Sequence, residues 1–137
     1  MGLYLAIFED EDELDGVEVG GYSDFSIFRN AVGKNLEQDQ AGSRFPVLML
    51  HSDCDGQWTM KEAGRLEKEL AVIRNELQGL PPVRLSEGWQ REVATMFSIR
   101  PASLLECFFD IDGEPLVDRL IGLARLSQTV SLPILFQ

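Results

Sequence analysis

The chain has 137 residues, 45% of them apolar and 26% charged. That is enough for one core without disulfide support, and too apolar for wholesale disorder. A formal charge of −11 sets the chain against nucleic-acid backbones and anionic membrane surfaces and favours basic partners. No apolar run approaches the ~20 residues of a membrane span. The opening MGLYLAIF lacks a basic flank, and the two cysteines, Cys54 and Cys107, are too few for a disulfide scaffold. The expectation is a single cytoplasmic domain, residues 1–137, with free thiols.

The charge is unevenly placed. Residues 1–28 hold eight acids and no Lys or Arg, so this segment supplies −8 of the total. Seven of the eight are Glu9, Asp10, Glu11, Asp12, Glu13, Asp15 and Glu18; the other is Asp24. The negative field is expected to originate near one loop, residues 9–15.

In chain order, residues 3–8 (LYLAIF) form a continuous apolar run that predicts a strand buried on both faces. The acidic run to Gly16 reads as a turn or loop. Val17 and Val19 alternate with Glu18 and Gly20, the pattern of a short strand pairing back as a hairpin. Phe25, Phe28 and Val32 recur at helical spacing, so residues 22–34 predict a helix, with Ser23 as its cap. Residues 36–44 read as loop. Residues 46–50 (PVLML) predict a second central strand with Pro at its first position.

Thr59 and Glu62 form a capping box ahead of Ala63, Leu66, Leu70, Ile73 and Leu77, one apolar stripe on a helix over residues 59–78. Gly79 is placed to end it in the left-handed conformation, and Pro81-Pro82 forbid continuation. Ser86 is placed to cap a short helix with Trp89, Val93, Met96 and Phe97 on one side. Arg100-Pro101 reads as a break. Residues 104–111 read as a short helical start followed by a strand through Phe108 and Phe109. Asp112-Gly113 is a turn dipeptide, and Glu114-Pro115 opens a helix ending near Gln128. Residues 132–136 predict an edge strand, because Pro133 cannot donate a ladder hydrogen bond. Strands and helices interleave without a strict β-α-β period. The expected fold class is α+β: one small mixed sheet with a single layer of helices on one main face.

The densest polar cluster is HSDCDGQW, residues 51–58. A calcium loop opening at Asp53-x-Asp55 needs Gly at its sixth position and Glu at its twelfth, where this chain has Trp58 and Gly64. Asp110-x-Asp112 fails the same test with Pro115 and Ile121. Zinc would draw on His51, Asp53, Cys54 and Cys107, but paired Cys/His spacings are missing and His51 is the chain's one histidine. Cys54 with His51 as base would sit between two carboxylates, which disfavour the thiolate. Ser, Asp and Gly are also what a strand-to-helix turn requires, and that bland reading is preferred. No phosphate-binding glycine loop and no basic aromatic patch occurs. No cofactor and no metal is expected.

Five segments in order, MGLYLAIF, HSDCDGQW, GWQREVA, DIDGEPL and LPILFQ, resemble a family of bacterial immunity proteins from polymorphic toxin systems, immunity protein family seventy. The likeness spans nearly the whole chain; the ordered set carries it, and no single motif does. The resemblance implies an α+β protein made in the cytoplasm of a toxin-producing cell that binds the cognate toxin domain and blocks it. It carries over no contact residues. The composition fits this: an acidic inhibitor can mimic the phosphates a basic toxin holds and dock quickly. The expected partner-binding residues are the acids Glu9, Asp10, Glu11, Asp12, Glu13, Asp15 and Glu18, with Asp53 and Asp55 as weaker candidates. Nucleic acid and membrane are not expected as partners, and the oligomeric state is left open. The alternatives are a small enzyme built on His51, Asp53, Cys54 and Asp55, and a general acidic adaptor.

Overall fold

The computed structural model describes residues 2–85 and 87–137. Four strands form a sheet of order β2-β1-β4-β3: β1 (Gly2–Glu9), β2 (Asp12–Gly21), β3 (Gln57–Trp58) and β4 (Ile134–Phe136). The fold class is α+β as the sequence predicts, but every pairing is antiparallel, so the sheet is not mixed. Five helices accompany it among the described residues: α1 (Tyr22–Leu36), α2 (Pro46–Met49), α3 (Met60–Gln78), α4 (Trp89–Met96) and α5 (Leu116–Val130).

Strand alternation sorts the sheet into two faces. Leu3, Leu5, Ile7 and Val17 point to the helical side and are fully buried. Helices α1 and α5 pack there, and α3 packs along α5. On the opposite side Tyr4, Phe8 and Leu135 stay half-exposed, so the strand at 3–8 is buried on one face and only partly covered on the other, not buried on both as its apolar run predicts. The α3 stripe Ala63, Leu66, Leu70, Ile73 and Leu77 is completely buried. Its capping box is present, with Thr59 Oγ1 accepting from Glu62 N at 3.1 Å and Glu62 Oε1 accepting from Thr59 N at 3.0 Å.

Several expectations need correction. The acidic run is not a loop: β1 extends to Glu9 and β2 starts at Asp12, leaving Asp10-Glu11 as the turn, with Asp10 left-handed at φ 57°. Helix α1 is not capped by Ser23; its N-cap is Gly21, whose N–H donates to Asp24 Oδ2 at 2.6 Å. The PVLM segment is a short helix and not a strand, because an acid from another helix satisfies its free N-terminus. Val47 N and Leu48 N donate to the two carboxylate oxygens of Glu69 at 3.1 and 3.0 Å. Burial pushes the Glu69 carboxyl up, against the two backbone bonds that lower it. Gly79 is not left-handed (φ −87°); a tightened last turn, with Leu80 N donating to Leu77 O, ends α3 instead.

The expected cap at Ser86 lies outside the described residues; α4 begins after Gly88. Met96 and Phe97 do not join Val93 in packing and are exposed. Residues 104–111 hold a single 3-10 turn, Leu105–Cys107, and no strand; Phe109 makes one isolated bridge with Pro115. Strand β4 is not at an edge, since Pro133 falls just before it and β4 lies between β1 and β3.

Candidate binding site

Seven of the eight acids of the N-terminal segment lie on one hairpin, and Asp24 lies in α1. Glu9 faces Asp12 across the two-residue turn, and Phe8 faces Glu13. Like charges directly opposite each other destabilise a hairpin. The tip therefore carries a charge arrangement that folding alone disfavours. Leu14, at the register shift, is 39% exposed beside these acids.

Two of the acids are engaged. Asp15 is half-buried and held by Arg119 of α5, with Nη2 to Oδ1 at 3.3 Å and Nη1 to Oδ2 at 3.4 Å. The same guanidinium donates to Gly16 O at 2.6 Å and sits 3.5 Å from Asp110 Oδ2. Asp110 is 1% exposed and accepts from Asp112 N and Glu114 N. Arg119 thus pins β2 to the turn at 110–114, and Asp15 serves the fold. The Glu13 carboxylate beside the Tyr4 hydroxyl, together with burial and the charges of Asp15 and Glu18, pushes the Tyr4 phenol up to about 12. Glu9, Asp10, Glu11, Asp12 and Glu18 remain exposed.

Asp53 and Asp55 do not join this group. They precede β3, at the opposite edge of the sheet from β2. Phe136 N donates to Gly56 O, which places their turn beside the C-terminal end of β4, away from the hairpin tip.

In the 51–58 cluster, His51, Ser52 and Trp58 serve the local structure. His51 Nδ1 lies 2.8 Å from Ser52 O and Nε2 lies 2.8 Å from Gln57 O, so both ring nitrogens face main-chain carbonyls and neither addresses the Cys54 thiol. The ring stacks on Phe136 with centroids 4.2 Å apart. Cys54 Sγ contacts Ser52 Oγ at 3.6 Å. Trp58, directly before the Thr59 cap of α3, is fully buried on β3 and donates from Nε1 to Val47 O at 3.1 Å. Cys107 is buried elsewhere, with Sγ donating to Val83 O at 3.5 Å and its thiol pushed up by burial. Among the described residues no three His, Cys, Asp or Glu side chains gather as a metal set.

Three features escape sequence reading. Asp24 accepts from Trp89 Nε1 at 3.1 Å and Gln90 Nε2 at 2.5 Å as well as from Gly21 N, tying α4 to α1. Arg29 lies over the Phe25 ring at 4.3 Å, and its Nε and Nη2 are buried without a partner among the described residues. An open, largely apolar groove of about 280 Å³ separates α1 from residues 83–85, 89–90, 104 and 107–109. Asp24, on its wall, is already fully engaged. Only the apolar spacing of α1 hinted at the groove; the other two depend on partners distant in the chain.

A small antiparallel sheet backed by helices, a charged hairpin and a turn whose histidine is bonded to main-chain carbonyls define an acidic α+β protein. The chain belongs to the family described as Immunity protein 70, whose profile matches residues 3–136. No curated protein and no solved structure shows significant similarity to it. Family membership makes a toxin protein the implied partner. No helix among the described residues is long and apolar enough to cross a membrane.

Proposed function

We propose that this protein binds the toxin domain encoded beside it and neutralises that domain by one-to-one occlusion in the cytoplasm of the producing cell. Family membership over residues 3–136 carries this reading. The hairpin supports the mode of docking: Glu9, Asp10, Glu11, Asp12 and Glu18 form an exposed negative projection suited to a cationic face, with Glu13 beside them. Asp15 contributes by holding the hairpin in place. Asp53 and Asp55 make at most a separate, weaker contact.

The enzyme alternative loses weight because its general base is occupied by two carbonyls. The test exchanges Glu11, Asp12 and Glu13 together for Ser and follows association with the toxin domain at low and high salt. Association should slow at least tenfold at low salt, and the difference should shrink at high salt as screening removes the steering term. An unchanged rate at low salt would remove the hairpin from the mechanism.

A further inference from the structure

The turn at 110–114 does more than receive Arg119. Ile111 N donates to Glu18 O at 3.2 Å, so this turn runs alongside the outer edge of β2. Gly113 lies directly under Phe97: a Cβ at Gly113 would stand 2.8 Å from the ring, and Gly113 adopts φ 79°. Phe97 follows the last residue of α4 and is 52% exposed; its neighbour Met96 is 73% exposed and Ile111 is 36% exposed. Phe97 thus packs on the turn that carries exposed Ile111, next to the charged strand, and exposed Met96 precedes Phe97 in the chain.

Helix α4 has no cause in its own packing to display them. Its buried side, Val93 and Ala94, packs with Phe109 in a small cluster separate from the main core. Around the patch stand the exposed carboxylates Glu18, Asp112 and Glu114. Of the nearby bases, Arg119 is engaged by Asp15 and Asp110, and Arg100 follows the patch along the chain. An apolar centre with a charged border is the anatomy of a protein interface whose energy is concentrated in a few anchors. The sign of the border selects a partner surface with an apolar pocket ringed by Lys and Arg.

We infer that Met96, Phe97 and Ile111 form the anchoring centre of the toxin-docking surface and that β2 forms its acidic border. This rests on the immunity reading and says which part of the chain holds the toxin once the charges have steered it. The probe is the toxin domain encoded beside the gene, bound to the full-length chain and followed by interferometry.

Phe97→Ala and Met96→Lys should each raise Kd at least tenfold, mainly through faster dissociation. Met96→Glu, which loses the same apolar contact but keeps the favourable sign, should bind more tightly than Met96→Lys. Leu50→Ser, which alters an exposed leucine packed on Gly42, should bind as the parent does. Because Met96 is so exposed, its variants retain the parental melting temperature even if Phe97→Ala loosens the 113 turn. Parental binding with both Phe97→Ala and Met96→Lys within twofold of it would overturn the inference and leave the immunity reading standing. Equal losses for Met96→Glu and Met96→Lys would overturn the cationic character of the partner surface. Failure of the parent itself to bind would overturn the immunity reading.

Discussion

Tyr4 lies across the hairpin above Gly16, where a Cβ would collide with its phenol. Its hydroxyl meets Glu13, and the surrounding acids oppose its ionisation. Because the folded phenol is raised from its ordinary value of 10 to about 12, this group's contribution to stability is complete below pH 10 and is lost as pH rises through 12. Spectrophotometric titration should show one tyrosine ionising near pH 12, and Glu13→Gln should bring that transition down toward 10. A transition that ignores Glu13→Gln would mean the acid does not face the hydroxyl. Gly16→Ala should cost about 1–3 kcal/mol by overpacking against Tyr4, measured by urea unfolding. Asp24 is the second residue on which much depends. Its carboxylate accepts three hydrogen bonds, two of them from α4. Asp24→Ala should cost roughly 2–3 kcal/mol and shift Trp89 fluorescence toward that of a solvated indole. Retained stability would show that α4 is held by its apolar side alone.

At the level of elements, what could be read in the sequence was what local periodicity encodes. The α3 stripe and its capping box follow from residues three and four apart. The strand at 3–8 follows from a continuous apolar run, and its pairing with Val17 from the alternation at 17–20. What could not be read depends on partners far along the chain. PVLM has the composition of a strand, yet it is helical because Glu69, twenty-two residues beyond Val47, accepts its first N–H groups. Glu37 is 4% exposed and accepts from Arg44 N and Phe45 N at 3.0 Å each, which delivers the chain to that helix. Glu69→Ala should therefore cost about 2 kcal/mol or more and loosen α2 selectively, seen as faster amide exchange at Val47 and Leu48. Equal protection in the variant would mean that Trp58 and its bond to Val47 O hold α2 unaided. The order β2-β1-β4-β3 was equally hidden, since β3 is two residues long and pairs only with a strand more than seventy positions later.

For the whole molecule, the excess of negative charge was legible as composition, and its concentration in one hairpin was legible as position. The division of labour within it was not. Asp15 looks like its neighbours in the sequence, and only Arg119, 104 residues away, distinguishes it as part of the scaffold. The 51–58 cluster shows the converse: residue types suited to catalysis, on a turn where both nitrogens of His51 face main-chain carbonyls instead of Cys54. An exposed apolar patch at the end of α4 was hidden because Met96 and Phe97 continue the helical spacing of Val93 and so read as core. These observations place the exposed charge and the exposed apolar surface on adjoining elements and leave no free nucleophile–base pair in the 51–58 cluster. The central claim is stoichiometric occlusion, and titrating the toxin domain's activity with increasing amounts of this chain tests it most directly. Stoichiometric occlusion predicts a linear fall that reaches its floor at one molecule of chain per molecule of toxin. Complete loss at a small fraction of equimolar would reveal turnover and contradict it, as would full activity in the presence of excess chain.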